Sequence, residues 1–156
     1  MSNKLAVILA EKLASSGLTV AAAESCTGGR VATALTSAPG SSAYFQGAVV
    51  AYSNQMKVEL LGVPVEVIIK HGAVSEECAR AMAEGARRKM NVRAAVSTTG
   101  IAGPEGGSPE KPVGLVWLAV ATDQGTTSVK KQLSGDRSSI SAAAANEALS
   151  LLAATI

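Results

Sequence analysis

Two polar segments of the sequence carry side chains that could form a nucleophile and its base. The segment "ESCTGGR" (24–30) places Ser25 and Cys26 at the end of a run of small apolar residues, just before two consecutive glycines. The segment "YSNQMK" (52–57) ends in Lys57. A neutral lysine amine can take the proton of a serine hydroxyl, and Ser–Lys pairs are a recognised form of nucleophilic catalysis. Together the segments predict acyl transfer, provided that the fold brings them into contact.

The glycine-rich turn after Ser25 has a functional and a structural interpretation. In the functional one, Ser25 stands on a strand-to-helix turn, and the backbone N–H groups of Thr27, Gly28 and Gly29 bind a developing oxyanion. In the structural one, Ser25 or Thr27 only caps the helix and the glycines only allow the turn, which is the commoner arrangement for such spacing. Cys26 is a weaker candidate nucleophile than Ser25 because no histidine near it in sequence would deprotonate its thiol.

The position of Lys57 suggests how a lysine could act as a base. If Asn54 is the N-cap of the next helix, Lys57 lies in the first helical turn, where the macrodipole disfavours a cation by about 0.3–1 kcal/mol. That field, together with partial burial, would lower the lysine pKa from roughly 10.4 toward neutrality. Tyr52 could relay the proton or orient the amine. The alternative is an ordinary lysine that reaches solvent from a short helix.

Two later segments could bind an anion or an amide. The Gly/Pro-rich stretch 101–114 is longer than a plain connection, yet it has no Walker lysine and opens no helix with G-x-G-x-x-G. We expect Thr99, Gly100 and Gly103 to contribute to the site; the alternative is a flexible connection. Arg137, in "SGDR", precedes the last helix and suits a phosphate, unless it only pairs with the neighbouring aspartate.

Composition excludes several classes of function. The 156 residues include one histidine and two cysteines, too few for a Cys₄ or Cys₂His₂ zinc site or a disulfide framework, so we expect no metal and no cofactor. The net charge is only +2 and no basic run is interleaved with aromatics, which argues against nucleic-acid binding. Charged residues soon interrupt the apolar opening "LAVILA", so we expect a cytoplasmic protein with no membrane contact.

Apolar periodicity predicts an alternation of helices and strands. Their order is typical of a three-layer α/β/α sandwich with a mixed, mostly parallel sheet, in which a final hairpin forms the one antiparallel pair. Ligands in such sheets bind beyond the carboxyl ends of the parallel strands, where the polar segments lie, so we expect one common cleft. The predicted strands are 18–23, 44–53, 92–100, 113–122 and 126–134, and the longer predicted helices are 5–16, 28–37, 75–90 and 136–156.

Six segments of the sequence, in order, closely resemble the C-terminal domain of the CinA (competence/damage-inducible) family, the nicotinamide-nucleotide amidohydrolases. They are "AESCTGG", "YSNQMK", "HGAVS", "TGIAGPEGG", "KPVG" and "SGDR", and they extend over nearly the whole chain. Members of the family are stand-alone domains or carry a further N-terminal domain that resembles a molybdopterin-binding fold. The length resembles the stand-alone form, so we expect a single domain, residues 1–156.

The resemblance implies an activity and its residues. The activity is hydrolysis of the carboxamide of nicotinamide mononucleotide (NMN) to nicotinic acid mononucleotide and ammonia. The family's serine, tyrosine and lysine fall on Ser25, Tyr52 and Lys57, while Arg137, the 99–107 loop, or both would hold the phosphate. Two alternatives are a nucleotide-binding or regulatory domain without turnover and an amidase for another small amide. The Ala-rich helices make us expect a homodimer.

Overall fold

A five-stranded sheet lies between two layers of helices in the structure, a computed structural model. The structure describes the backbone of residues 3–156 and side chains from residue 5 onward. A 3₁₀ turn at Ser41–Ala43 precedes the second strand. The helices are α1 (Asn3–Ser16), α2 (Arg30–Leu35), α3 (Asn54–Leu61), α4 (Val65–His71), α5 (Glu76–Met90) and α6 (Arg137–Thr155); the strands are β1 (Val20–Glu24), β2 (Phe45–Val50), β3 (Ala94–Gly100), β4 (Leu115–Thr122) and β5 (Gly125–Gln132).

The sheet is mixed, as predicted, but it is not mostly parallel. The strand order is β2-β1-β3-β4-β5, with β1 parallel to β2 and β3, and with both β3–β4 and β4–β5 antiparallel. The prediction of a single antiparallel pair was therefore wrong. The second antiparallel pair, β3–β4, forms because the connection 101–114 folds back on itself, with the N–H of Gly114 donating to the carbonyl of Ile101 at 2.8 Å. Without a crossover helix, β4 can only return antiparallel to β3.

The two faces of the sheet carry different helices, which confirms the three-layer sandwich. Alternate residues of a strand point to opposite faces, so Ala22 packs in the core with α1, α2 and α6, while Ala21 and Ala23 pack against α5. Gly85 lets α5 approach α3 closely, because a Cβ atom there would lie 1.8 Å from the carbonyl oxygen of Leu61. None of the described helices is both long and apolar enough to cross a bilayer.

The sheet brings the polar segments to one edge. Strands β1, β2 and β3 are mutually parallel, so their carboxyl ends, at Glu24, Val50 and Gly100, lie side by side. The predicted segments at 24–30, at 52–57 and after β3 begin at these ends. The topological basis of the predicted cleft is therefore present in the structure.

Candidate active site

Ser25 is the first residue after β1 and lies in a buried turn that leads to α2. Its backbone N–H donates to the carbonyl of Thr98 in β3 at 3.1 Å, and its own carbonyl accepts from the N–H of Gly28 at 3.1 Å. Gly28 and Gly29 have φ values of 56° and 97°, in a region that residues with a side chain rarely adopt. The turn therefore requires the two glycines, and it leaves the Ser25 residue 7% exposed.

The side chain of Lys57 lies against Ser25. Its Nζ is 3.0 Å from the Ser25 Oγ, 3.1 Å from the carbonyl oxygen of Ala51 and 3.2 Å from that of Tyr52. A neutral amine has two N–H donors and one lone pair. In that neutral state the two carbonyl oxygens, which can only accept, take the two N–H bonds, and the lone pair is left to accept from the Ser25 hydroxyl. This is the arrangement that a general base needs.

Helix α3 presents Lys57 to the cleft in a way that differs from the prediction. The N-cap is Ser53, whose hydroxyl accepts from the N–H of Met56 at 3.1 Å, and Asn54 is the first helical residue. Lys57 is thus one position further into the helix than expected. Helical side chains lean toward the N-terminus, so the amine extends back past the start of α3 to the end of β2.

Burial is the main cause of the altered basicity of Lys57. The residue is 2% exposed, and removal of the amine from water lowers its pKa from the ordinary value of 10.5. No carboxylate of the described residues lies within ion-pair distance of it. The pKa shift has the predicted direction, but its largest cause is burial rather than the helix end.

The thiol of Cys26 is a poor nucleophile in this environment. Burial raises the pKa of Cys26 to about 12, so the group stays protonated near neutral pH. This favours the Ser25 hydroxyl as the reactive group of the turn. Among the described residues, no three histidine, cysteine or acidic side chains cluster in a way that could hold a metal ion.

Glu24, the last residue of β1, is a fully buried carboxylate beneath the turn. Helix α2 has no side-chain cap at its N-cap position, and Glu24 takes the role of that cap. Sequence reasoning assigned it no function, although a glutamate at the end of an apolar strand was a visible signal. Its oxygens accept from the N–H groups of Gly29 (3.0 Å), Val31 (3.1 Å) and Ala32 (2.8 Å) and from the hydroxyl of Thr27 (2.5 Å).

These contacts correct the predicted oxyanion site. The N–H of Gly28 already donates to Ser25 and that of Gly29 to Glu24, so neither is free for a substrate. Thr27 is fully buried and does not line the cleft. Cys26 does line it, and its N–H donates to no oxygen of the described residues. In α/β-hydrolases, the N–H of the residue that follows the serine nucleophile is one of the oxyanion donors.

The cleft beyond the strand ends has a volume of about 250 Å³. It brings most of the predicted site residues together, while Thr27, Gly28 and Gly29 lie outside it. Apolar residues of the α4–α5 connection were missed because nothing in their types signals binding. The individually predicted residues that line the cleft are Ser25, Tyr52, Asn54, Lys57, Thr99, Gly100, Gly103 and Arg137; Ile101, Ala102, Glu105 and Gly106 belong to the 99–107 loop that was expected to contribute, and the missed ones are Ala73, Val74 and, as a backbone contributor, Cys26.

Tyr52 and Arg137 form a hydrogen-bonded pair at the rim. The Tyr52 hydroxyl contacts Nη2 of Arg137, whose Nη1 donates to the carbonyl of Gly103 at 2.9 Å. The Tyr52 phenol is not within hydrogen-bond distance of Lys57, which contacts only the Tyr52 carbonyl. The structure thus shows no direct contact through which the Tyr52 hydroxyl would relay a proton to Lys57. Asp136 does not pair with Arg137 but caps α6, accepting from the N–H of Ser139 at 2.8 Å.

A second hollow, of about 430 Å³, lies next to the cleft. The two share Cys26, Tyr52 and Arg137, so the Tyr52–Arg137 pair stands between them. Arg30 also lines the second hollow, so two guanidinium groups, those of Arg30 and Arg137, border that space.

Comparisons with known proteins agree with this architecture. The family described as CinA C-terminal domain matches residues 2–156. A CinA-like protein from Anaeromyxobacter sp. (strain K) is 53% identical over 150 residues, or 96% of this chain and 37% of the relative. One from Gemmatimonas aurantiaca is 50% identical over 150 residues, or 96% of this chain and 35% of the relative. The chain thus spans about a third of the length of these curated relatives.

Solved structures show the same fold. The competence/damage inducible protein CihA from Agrobacterium tumefaciens has a TM-score of 0.95 and 42% identity, over 97% of this chain and 93% of that one. A competence-damaged protein (CinA) superfamily protein from Escherichia coli has a TM-score of 0.95 and 31% identity, over 99% and 90%. By sequence and by fold, the chain belongs to the CinA C-terminal domain family.

Proposed function

We propose that this chain hydrolyses the carboxamide of NMN to nicotinic acid mononucleotide and ammonia. The observation that carries the proposal is the 3.0 Å contact between Nζ of Lys57 and Oγ of Ser25. Both groups are buried at the floor of a cleft, and burial lowers the pKa of the amine. A buried lysine without a carboxylate partner destabilises the fold unless it loses its proton, so a catalytic use explains its presence.

In the proposed first half-reaction, Lys57 takes the hydroxyl proton of Ser25 as Oγ attacks the carboxamide carbon. The carbonyl oxygen becomes an oxyanion, and the N–H of Cys26 donates to it. The ammonium of Lys57 then donates to the carbonyls of Ala51 and Tyr52 and to the departing nitrogen. Proton transfer to that nitrogen breaks the C–N bond, which releases ammonia and leaves an acyl ester on Ser25.

The second half-reaction repeats this chemistry with water. Neutral Lys57 takes a proton from a water molecule as its oxygen attacks the ester carbon, and the same proton returns to the Ser25 oxygen as the C–O bond breaks. The product leaves as a carboxylic acid that ionises at neutral pH. One water is consumed and one ammonia is formed for each carboxamide, and the enzyme returns to its starting state.

The two neighbouring spaces suggest how a nucleotide would bind. The cleft at Ser25 suits a small flat ring with its carboxamide, and the second hollow offers room for a ribose phosphate. Arg137 and Arg30 would face the phosphate, since guanidinium groups bind phosphate oxygens through charge-assisted hydrogen bonds. Occupation of both spaces requires the Tyr52 ring and Arg137 to adjust when the substrate enters.

A direct assay distinguishes this function from its alternatives. The purified protein is incubated with NMN, and in parallel with nicotinamide riboside and other small carboxamides, while ammonia and the acid product are measured. We expect ammonia and nicotinic acid mononucleotide in equal amounts from NMN, and none from Ser25→Ala, which still binds NMN. Binding of NMN by the wild type without ammonia would indicate a binding domain. Turnover of other amides but not NMN would indicate a different amidase.

A further inference from the structure

The proposed reaction leaves the buried carboxylate of Glu24 without a function. We propose that Glu24 is a positioning residue, which holds the Ser25 backbone through a one-directional chain of hydrogen bonds that passes through the hydroxyls of Thr27 and Thr98. This inference rests on the proposed function, because it assigns a role to groups that do not touch the substrate. The residues Glu24, Thr27 and Thr98 are fully buried, so no bulk water competes for their hydrogen bonds.

The direction of the chain follows from counting protons. The Thr27 hydroxyl lies 2.5 Å from Oε2 of Glu24, which also accepts two backbone N–H groups and is therefore the acceptor. Thr27 has one hydroxyl proton, and it is used there. The 2.8 Å contact between the Thr27 and Thr98 hydroxyls must then be donated by Thr98. With its own proton used, Thr98 Oγ1 faces the Ser25 N–H as an acceptor, at 3.4 Å.

Every donor in the chain therefore points from Ser25 toward Glu24. Such a chain has one satisfied arrangement, because reversal of any hydroxyl would leave two donors or two acceptors facing each other. Buried networks that are fully satisfied stiffen the groups they connect. The Ser25 N–H also donates to the Thr98 carbonyl, so Thr98 accepts from this N–H through both its carbonyl oxygen and its hydroxyl oxygen.

This rigidity has a chemical consequence at Ser25. Proton transfer to Lys57 requires a donor–acceptor distance of about 2.6–3.2 Å, and misplacement by about 1 Å lowers a rate by about 100-fold. Glu24 also accepts from three N–H groups at the start of α2, while the N–H of Cys26, which lines the cleft beside Ser25, donates to no oxygen of the described residues. The same carboxylate thus holds the Ser25 backbone and takes the N–H of Gly29, one of the predicted oxyanion donors.

The competing explanation is that Glu24 serves only as a cap for α2. The two explanations differ at Thr98, whose hydroxyl is hydrogen-bonded to Ser25 and Thr27 rather than to α2, and which does not line the cleft. The substitution Thr98→Val removes the Thr98 hydroxyl and so interrupts the chain of hydrogen bonds. It keeps the shape of the side chain and leaves the contacts between Glu24 and α2 intact. A capping role alone predicts no kinetic effect of this change.

Ser97→Ala provides a matched control for Thr98→Val. Ser97 is the neighbouring residue in β3, is equally buried, and donates its hydroxyl to the carbonyl of Ala79 in α5 at 2.6 Å, on the opposite face of the sheet. Both variants lose one buried hydroxyl from the same strand. Only the loss at Thr98 affects the chain that reaches Ser25.

The experiment measures kcat and KM for NMN and the melting temperature of wild type, Thr98→Val, Thr98→Ser and Ser97→Ala. We expect Thr98→Val to lower kcat by about 10- to 100-fold with little change in KM. Thr98→Ser should restore most of kcat, and Ser97→Ala should keep kcat within about twofold of wild type, with a similar loss of melting temperature. A folded Thr98→Val protein with wild-type kcat, or an equal loss of kcat in Ser97→Ala, would overturn the inference.

A second readout separates this inference from the proposed function. The rate at which a small sulfonyl fluoride modifies Ser25 is measured by mass spectrometry, with Ser25→Ala as the blank. If the wild type does not hydrolyse NMN, the proposed substrate is wrong. The positioning role of the hydrogen-bond chain still predicts slower modification of Ser25 in Thr98→Val than in Ser97→Ala. Equal modification rates in these two variants would contradict the positioning role whatever the substrate.

Discussion

The amine of Lys57 lies 3.0 Å from the hydroxyl of Ser25, although the two residues are 32 positions apart and belong to different connections. Ser25 follows β1 and Lys57 is in α3, which follows β2. The contact exists because β1 and β2 are parallel neighbours, so that the segments after them begin at the same edge of the sheet. The topology of the sheet, rather than a single sequence motif, therefore brings the two residues together.

The buried amine makes stability depend on pH. The pKa of Lys57 is lowered in the folded protein and has its ordinary value of 10.5 when unfolded. Between these two values the unfolded chain binds more protons, so stability increases as pH rises through this window. Each unit by which the two pKa values differ contributes about 1.4 kcal/mol.

Urea unfolding of wild type and Lys57→Met at several pH values measures this effect. The two proteins differ only at this residue, so the difference in the free energy of unfolding reports on the Lys57 amine and on its influence on the two buried thiols, Cys26 and Cys78. We expect wild type to gain stability relative to Lys57→Met as pH rises toward 10.5, the ordinary pKa of the amine. A constant difference across this range would show that the amine is not held in an environment that favours its neutral form.

Removal of the Tyr52 hydroxyl tests whether Tyr52 acts on the proton or on the substrate. The phenol bonds to Arg137 and is 58% exposed at the residue level. We expect Tyr52→Phe to raise KM for NMN by about fivefold and to change kcat little, because loss of one exposed hydrogen bond amounts to about 1 kcal/mol. A proton relay would instead lower kcat by about 100-fold or more, with KM nearly unchanged. Steady-state kinetics distinguish the two.

The neighbouring thiol should be dispensable. Burial raises the pKa of Cys26 to about 12, and a protonated thiol is a weak nucleophile. Cys26→Ala keeps the backbone N–H that is assigned to the oxyanion, so we expect kcat for ammonia release to stay within about threefold of wild type. Loss of activity in a folded Cys26→Ala protein, together with activity in Ser25→Ala, would move the nucleophile from Ser25 to Cys26.

Local signals in the sequence were enough to find the framework of the site. Helix α5 begins where the predicted helix 75–90 begins, and its N-cap is Ser75, whose hydroxyl accepts from the N–H of Cys78 at 3.2 Å. The segments of Ser25 and Lys57 were identified from residue types and from the strands that precede them. These features depend on a few consecutive residues, which is why sequence patterns reveal them.

Features that depend on distant partners could not be predicted. Nothing near Tyr52 in sequence indicates that its phenol turns to Arg137, 85 positions away. The role of Glu24 depends on a turn conformation in which four donors converge on one carboxylate. The choice of Ser53 over Asn54 as cap is a shift of one residue between two good capping types. Each outcome is decided by tertiary structure rather than local preference.

Ammonia release from NMN by Lys57→Met tests the central claim most directly. Methionine fills the space of the lysine stem and removes the amine that faces Ser25, so the fold should survive, as checked by the melting temperature. Lys70→Met, at an exposed lysine of α4, is the control and should behave as wild type. We expect kcat of Lys57→Met to fall by about 10²–10⁴-fold. A folded Lys57→Met protein that keeps most of its activity would contradict the assignment of Lys57 as the base for Ser25.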